Sequence, residues 1–331
     1  MISIVIPVYN EEDNLEVLFE RLGNAAETWG EEYEVIFVND GSSDNTSLII
    51  SDLYRRDPRW KALSFSRNFG HQTAVSAGIH HAKGDAVVVL DADMQDPPEV
   101  VDRLLEKWRE GYQVVFAVRR KRKEGVFKRM AYFVFYRTLR RVASIDIPLD
   151  AGDFCVMDRS VVDVLKTMPE RDRFVRGLRS WAGFSQIGVE YERAQRHAGK
   201  TKYSFSKLLR LASDGVFSFS VIPLKLSSIL GMVLCIGSML LAALLVVWRI
   251  TDASFLGMHP TEATGWTSLL CVILFLSGLQ FLTMGILAEY VSRIFTEVKG
   301  RPQWVISHSL GIDSVVLESE PTQHKVIEEP A

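Results

Sequence analysis

The amino-acid sequence predicts an α/β fold with a mainly parallel sheet in its N-terminal part, followed by a hairpin of two transmembrane helices. Three observations carry this prediction. Residues 1–120 alternate short apolar segments with helical ones, as in repeated β-α-β units that place helices on both faces of a sheet. Polar clusters follow three of the apolar segments, and two long segments without any charged residue occur later in the chain.

Five apolar segments have the length and composition of buried parallel strands. They are Ile2–Val8, Val35–Val38, Ala62–Phe65, Ala86–Leu90 and Val114–Val118. The intervening segments predict helices, namely Asp13–Ala26, Asp44–Arg55, Thr73–Ala82 and Pro98–Glu110. Because ligands of such sheets bind beyond the carboxyl ends of the strands, we expect the functional site at that edge.

Overall charge and cysteine spacing exclude several classes of function. A formal net charge of −3 gives no reason to expect nucleic acid as a partner. The three cysteines are too far apart in sequence for a C-x-x-C metal or redox motif, and they indicate no disulfide framework. The first residues lack the basic segment of a signal peptide and predict a strand instead.

The two uncharged segments, 226–248 and 266–288, are long enough to cross a membrane. As helices each would span about 34 Å, against a hydrocarbon core of roughly 30 Å. The preceding segment, 204–225, mixes aromatic and aliphatic residues with Lys and Arg. We interpret it as an amphipathic segment at the membrane interface, with an ordinary surface helix as the alternative.

Basic residues near the two spans predict their orientation. Five of them precede the first span and three follow the second: Lys200, Lys202, Lys207, Arg210 and Lys225, then Arg293, Lys299 and Arg301. The loop between the spans holds a single basic residue. By the positive-inside rule, we expect both termini in the cytoplasm, including a tail over 291–331. We expect the two spans to cross the plasma (inner) membrane.

The sharpest chemical signal is the D-x-D pattern of Asp91 and Asp93, followed by Gln95, after a buried strand. Mg²⁺ and Mn²⁺ prefer oxygen ligands and often bind through one or two carboxylates together with substrate phosphates. The pattern therefore predicts a site for Mg²⁺ or Mn²⁺. Two other nucleotide sites do not fit, because the first strand is followed by no G-x-G-x-x-G and Gly199-Lys200-Thr201 lacks the remainder of a P-loop.

Several motifs together resemble the family 2 glycosyltransferases of GT-A fold. They are Ile4-Val5-Ile6-Pro7-Val8-Tyr9-Asn10-Glu11, Val38-Asn39-Asp40-Gly41-Ser42-Ser43-Asp44 and Leu90-Asp91-Ala92-Asp93-Met94-Gln95-Asp96-Pro97. Ser66-Arg67-Asn68-Phe69-Gly70, Gly152-Asp153-Phe154 and Gly199-Lys200-Thr201-Lys202-Tyr203, with the two spans, are similar to the polyisoprenyl-phosphate hexosyltransferases. This bactoprenol glucosyltransferase group is related to the dolichol-phosphate mannose synthases, and the resemblance reaches to about Trp304.

The resemblance implies an inverting enzyme with a cytoplasmic GT-A catalytic domain over 1–203. Such an enzyme transfers a hexose from a nucleotide-sugar, with UDP-glucose the preferred donor, to a polyisoprenyl (undecaprenyl) phosphate, and a metal assists the release of UDP. Close relatives also suggest a homotetramer. The identity of the sugar stays open, since it depends on a few hydroxyl contacts.

The resemblance also implies roles for individual residues. For the donor, Pro7, Tyr9, Glu11 and Asp40 would line the uridine pocket, Asp91 would contact the ribose and the metal, and Asp93 and Gln95 would hold the ion on the diphosphate. For the acceptor, Arg119, with Lys128 or Arg129, would bind the lipid phosphate. Lys200 would bind the diphosphate or a headgroup. Asp153 would act as a base or as a positioning group, whereas His71 is assigned a contact at a helix start in preference to a base.

Two other functions are alternatives to a polyisoprenyl-phosphate hexosyltransferase. A processive polysaccharide synthase would need a Q-x-x-R-W motif and more spans, and neither Gln186 nor Gln195 begins such a motif. A catalytically silent scaffold that only binds nucleotide-sugars is disfavoured by the presence together of the D-x-D pattern, Gln95 and Asp153. Divalent metal that strengthens nucleotide binding, followed by turnover, would distinguish an enzyme from such a scaffold.

Overall fold

The computed structural model describes residues 1–119, 151–171, 173–192, 222–251 and 265–313. In this part of the chain, eight strands form one sheet in the order β7-β5-β6-β4-β1-β2-β3-β8. The strands are β1 Ile2–Val8, β2 Tyr33–Asn39, β3 Trp60–Phe65, β4 Ala86–Val89, β5 Val114–Arg119, β6 Ala151–Asp158, β7 Gln186–Tyr191 and β8 Ile306–Leu310. All five predicted strands are confirmed, as β1 to β5.

The sheet is mixed but mostly parallel. Strands β1, β2, β3 and β4 run parallel to their neighbours in this group, as β5 does to β7. Strand β6 lies antiparallel between β4 and β5, and β8 lies antiparallel beside β3. Both antiparallel strands were missing from the sequence prediction, which assigned residues 291–331 to a tail.

Eight helices occur in the described residues. They are α1 Leu15–Glu27, α2 Thr46–Arg56, α3 His71–His81, α4 Val100–Arg109, α5 Arg159–Thr167, α6 Val175–Trp181, α7 Ile222–Thr251 and α8 Trp266–Val298. The four helices predicted between the first five strands are confirmed as α1 to α4. The segments 226–248 and 266–288 lie inside α7 and α8, whereas residues 204–221 of the predicted interfacial segment lie outside the described residues.

The core has two layers because side chains of a strand alternate between the faces of the sheet. Ile4 and Ile6 of β1 face a cluster formed with α1, α2 and α4, whereas Val5 faces a cluster formed with α3, α5 and α6. Helix α3 approaches the sheet very closely at Gly78, where a Cβ atom would collide with the side chain of Val5. This close packing sets the height of α3 above the sheet, and its N-terminal residue His71 lies near the carboxyl ends of the strands.

Helices α7 and α8 contrast with this core, because their apolar side chains are largely exposed. Leu240 on α7 is 62% exposed and Phe281 on α8 is 73% exposed. The mean hydropathy is 2.0 over Leu224–Leu241 and 1.2 over Phe275–Val298. Among the described helices, these two are long and apolar enough to cross a membrane by length and composition.

After α8 the chain returns to the sheet. The backbone N–H of Ser66 donates to the carbonyl of Val305 at 3.0 Å, just before β8 pairs with β3. The backbone N–H of Arg171 donates to Glu297 at 2.8 Å, and the side-chain amide of Gln303 donates to the carbonyl of Glu170 at 2.9 Å. The end of α8 and the residues that follow it are therefore hydrogen-bonded to the loop before α6 and to the residue after β3.

Candidate active site

The carboxyl ends of β1, β2 and β4 meet at one edge of the sheet, as the sequence predicted. Val8 is the register partner of Asn39, and Val5 is the partner of Val89. The loops after β1 and β2 are joined directly: the backbone N–H of Asn10 donates to the Ser42 hydroxyl at 3.0 Å, and the N–H of Ser43 donates to the Asn10 side chain at 2.8 Å. Two of the three polar clusters thus form one surface.

The residues predicted to line a base pocket lie on this surface in different environments. Pro7 is buried within β1, whereas Tyr9 is 40% exposed just beyond the strand. The Glu11 carboxylate accepts a hydrogen bond from the Asn14 side chain at 2.6 Å. Asp40 is buried at the end of β2. The binding roles of these four residues stay predictions.

Asp40 has a structural task that the sequence did not reveal. Its carboxylate accepts the backbone N–H groups of Phe69 at 2.6 Å and Gly70 at 3.0 Å, in the loop that leads into α3. Burial raises the pKa of Asp40 above its ordinary value, although these two hydrogen bonds act in the opposite direction. Gly41 lets the loops touch, because a Cβ atom there would lie 2.5 Å from the backbone of Arg67. Asp40 therefore helps to place the start of α3.

The D-x-D pattern forms a tight turn after β4. The Asp93 carboxylate accepts the backbone N–H of Gln95 at 3.1 Å, and Met94 between them has a φ of 59°. The side chains of Ala92 and Met94 are buried in the core. The Asp91 side chain keeps 30% of its surface exposed. Burial raises the pKa of Asp91 to about 6, and the carboxylates of Asp96, Asp153 and Asp93 act in the same direction.

Asp153 lies in β6, beside this turn, in the opposite electrostatic environment. Its carboxylate accepts hydrogen bonds from Arg176 Nε at 2.8 Å and from Gln72 Nε2 at 3.0 Å. Burial alone would raise the pKa of Asp153, but the charge of Arg176 and the contact with His71 hold it far below its usual range. The ionised form of Asp153 is therefore strongly favoured.

His71 connects the two carboxylate sites. Its Nε2 atom lies 3.3 Å from Asp153 Oδ2 and 3.8 Å from Asp91 Oδ1. Burial by itself would lower the pKa of His71, but the hydrogen bond to Asp153 and the charges of Asp91 and Asp153 raise it to about 9. From the sequence, a contact at a helix start was expected for His71 in preference to a role as a base. His71 is indeed the first residue of α3, and it also bridges two candidate site residues.

Three predicted residues cannot be placed. Lys128, Arg129 and Lys200 lie outside the described residues, so the predicted acceptor site is described only at Arg119, the last residue of β5. Conversely, no role was predicted for Gln72 or Arg176. No local pattern marks Arg176, because its partner Asp153 is 23 positions away in the chain.

No group of three or more His, Cys, Asp or Glu side chains is arranged to hold a metal ion within the described residues. The pair of Asp91 and Asp93 nevertheless suits a hard cation that takes its remaining ligands from water and substrate. Both carboxylates belong to one turn at the strand edge. Within the described residues, no lysine or arginine forms an ion pair with Asp91.

Known proteins resemble this chain along most of its length. A model of glycosyl transferase family 2 matches residues 3–165. An uncharacterized glycosyltransferase of Bacillus subtilis, YkcC, is 46% identical over 94% of this chain and 95% of its own length. The chain belongs to glycosyltransferase family 2. It is therefore an enzyme of sugar transfer, and its mostly parallel α/β sheet is the GT-A fold that the sequence predicted.

A second relative of this glycosyltransferase has a more specific name. The SfII prophage-derived bactoprenol glucosyl transferase of Shigella flexneri is 42% identical over 93% of this chain and 98% of its own length. Among solved structures, glucosyl-3-phosphoglycerate synthase from Mycobacterium tuberculosis, in complex with Mn²⁺, UDP and glucosyl-3-phosphoglycerate, is 20% identical. Its TM-score is 0.44, over 66% of this chain and 77% of the synthase.

Proposed function

We propose that this glycosyltransferase transfers a hexose, glucose from UDP-glucose, to the phosphate of a polyisoprenyl lipid such as undecaprenyl phosphate, at the cytoplasmic face of the membrane. The proposal rests on the combination of an acidic turn, two exposed apolar helices and a named relative. A D-x-D turn at the sheet edge and two exposed apolar helices occur in a single chain, and a bactoprenol glucosyl transferase aligns with 93% of that chain. A soluble acceptor would give no reason for two such helices.

Two exposed helices of this length are best stabilised by lipid. α7 has 30 residues and α8 has 33, which correspond to about 45 and 50 Å at about 1.5 Å per residue. We propose that they cross the membrane as a hairpin, with the catalytic sheet and both termini in the cytoplasm. Because the end of α8 is bonded to the loop before α6, the site would lie near the membrane surface, within reach of a lipid phosphate.

In the proposed reaction, an oxygen of the lipid phosphate attacks the anomeric carbon while the bond from that carbon to the UDP oxygen breaks on the opposite face. The configuration therefore inverts. The acceptor needs little help from a base, because a phosphomonoester has a second pKa near about 6 and is largely ionised at neutral pH. A divalent cation, when bound, would offset the charge that develops on the leaving diphosphate.

The residues of the chain would divide this work between binding and positioning. Asp91 and Asp93 would bind the cation together with the diphosphate, with Gln95 beside them. Asp153 is a poor proton acceptor, since its pKa lies far below the usual range. We therefore assign it the positioning of the donor sugar and of His71, and not the role of a base.

The experiment is transfer of labelled sugar from a panel of UDP-sugars to undecaprenyl phosphate in detergent, with Mg²⁺, with Mn²⁺ or with a chelator. We expect a lipid-soluble product from one donor, absent with the chelator and reduced at least about 100-fold in Asp93→Ala. Asp52→Ala, on the exposed face of α2, is the matched control and should retain activity. If the protein is folded and binds UDP but forms no lipid product from any donor, the proposal of a polyisoprenyl-phosphate acceptor is wrong. That result would favour a silent scaffold.

A further inference from the structure

We infer that Gln72 and Arg176 are positioning residues, which hold the Asp153 carboxylate in one orientation for sugar transfer. The inference rests on the proposed function, because it assigns Asp153 a task in that reaction. Arg176 Nε donates to Oδ1 of Asp153 at 2.8 Å, and Gln72 Nε2 donates to Oδ2 at 3.0 Å. Each carboxylate oxygen thus has its own donor, and rotation of the carboxylate would break both hydrogen bonds.

Gln72 is itself fixed in orientation. Its side-chain oxygen accepts the backbone N–H of Val175 at 2.9 Å, while its side-chain nitrogen faces Asp153. A flipped amide would place its NH₂ group against an N–H donor and its oxygen against a carboxylate, which is unfavourable at both ends. The amide therefore has a single satisfied arrangement, and that arrangement directs a donor at Asp153.

Arg176 is supported from a second side. Its guanidinium lies over the ring of Phe174, with the central carbon 5.5 Å from the ring centroid. Stacking on an aromatic ring limits the orientations that the guanidinium plane can take. Gln72 comes from the first turn of α3 and Arg176 from the first turn of α6. Asp153 is thus held between two helices that pack on the same face of the sheet.

The consequence for the reaction follows from the position of His71. Oδ2 of Asp153, which accepts from Gln72, is also the oxygen that lies 3.3 Å from His71 Nε2. If the carboxylate turned, it would release the imidazole, which lies 3.8 Å from Asp91. Side chains such as Asp153 and His71 would act by being held in place before the substrate binds. A misplacement of about 1 Å in an active site can lower the rate about 100-fold.

The test is a double-mutant cycle on the transfer reaction. Arg176→Ala and Asp153→Asn are each expected to lower kcat about 100-fold, with the KM for the UDP-sugar changed less than about threefold. If Arg176 acts through Asp153, the double variant should be within about twofold of Asp153→Asn alone. Arg176→Lys should recover part of the loss, as should added guanidinium ion with Arg176→Ala. Arg55→Ala, an exposed arginine of α2, is the control and should leave kcat unchanged.

Several outcomes would overturn the inference. One is a double variant in which the two decreases in kcat multiply. Another is a decrease in kcat of Arg176→Ala that a smaller folded fraction explains fully. The folded fraction is measured in each preparation by gel filtration and UDP binding. A crystal or cryo-EM structure of Gln72→Ala gives a readout without the lipid acceptor. The Asp153 carboxylate should be turned away from His71, and an unchanged carboxylate would contradict the proposed role of Gln72.

These readouts separate the inference from the proposed function. Absence of lipid product with unmodified protein would reject the acceptor, while the structure of Gln72→Ala would still decide whether Gln72 orients Asp153. If the unmodified protein transfers sugar but the substitutions at Arg176 and Asp153 affect kcat independently, the inference is rejected and the proposed function stands.

Discussion

Asp91 and Asp153 are carboxylates at the same edge of one sheet, and both lie beside the imidazole of His71. Their pKa values are nevertheless shifted in opposite directions. Burial and three neighbouring carboxylates raise the pKa of Asp91 to about 6. For Asp153, the charge of Arg176 and the hydrogen bond of His71 outweigh burial and hold its pKa far below its usual range. Among the described residues, an arginine is paired with Asp153 and none is paired with Asp91.

This difference indicates how the two carboxylates would divide the work. A partly exposed carboxylate that has no arginine partner among the described residues would be available to bind a cation supplied with the substrate. A carboxylate that is already paired with an arginine cannot offer its charge in the same way, and is suited to orienting its neighbours. Pairs of groups whose environments push their pKa values apart are a good guide to such roles.

The largest effect on stability is expected for Asp153→Asn. Removal of the charge breaks the ion pair between Asp153 Oδ1 and Arg176 Nε, which are 2.8 Å apart, and removes the favourable interaction with the charge of the buried Arg179. Breaking a buried pair in this way typically costs about 3 kcal/mol of unfolding free energy. Chemical denaturation of the purified protein measures it, with Asp163→Asn on α5 as the control. An unfolding free energy equal to that of the unmodified protein would show that the pairing contributes nothing to the fold.

In the presence of a chelator, Asp91→Asn is expected to increase the unfolding free energy, in contrast to Asp153→Asn. The folded-state pKa of Asp91, about 6, lies above that of an unfolded chain. The unfolding free energy therefore decreases as the pH rises from about 4 to about 6, and stays reduced above that range.

Asparagine at position 91 cannot ionise, so this variant should be more stable than the unmodified protein at neutral pH, by about 1 kcal/mol after allowance for partial exposure. It should also lose sugar transfer. Denaturation at pH values below and above this window is the measurement. A destabilised variant at neutral pH would contradict the comparison of the two carboxylates.

The smallest effect on the unfolding free energy is expected for substitution of His71, which lies between Asp91 and Asp153. Its folded-state pKa of about 9 exceeds the ordinary value of 6.5. Its contribution to stability is therefore complete below pH 6.5 and lost as the pH rises through 9. Since 45% of the side chain is exposed, we expect less than about 1 kcal/mol. The difference in stability between the unmodified protein and His71→Gln should disappear at alkaline pH, and a difference independent of pH would contradict the assignment.

The strands β1 to β5 and the helices α1 to α4 could be predicted because each is marked by a local apolar pattern. The same holds for α7 and α8, whose apolar segments are long and uncharged. The position of strand β6 could not be predicted, because apolar periodicity does not indicate the order of strands in a sheet. Here a later strand lies antiparallel between β4 and β5. Strand β8 was missed for a similar reason, since its partner β3 lies more than 200 positions earlier, with Ser307 bonded to Ser64 across 243 positions.

In the candidate site, the D-x-D turn was predictable because both carboxylates and Gln95 lie within five residues of sequence. Asp153 was found only through the resemblance to known glycosyltransferases. Gln72 and Arg176 were missed altogether, because a glutamine and an arginine in helical segments are ordinary surface residues until the fold brings them to a carboxylate.

The sequence by itself determined the alternation of strands and helices, the two apolar helices and the acidic turn, because apolar periodicity, helix length and motif spacing are local properties of the chain. Only the tertiary structure decided how the pKa values of Asp91 and Asp153 differ. Gln72 and His71 reach Asp153 across 81 and 82 positions. Contacts of about 3 Å between residues so far apart exist only after the sheet and helix α3 have packed, and such contacts set the pKa of a carboxylate and with it the role that the carboxylate can take.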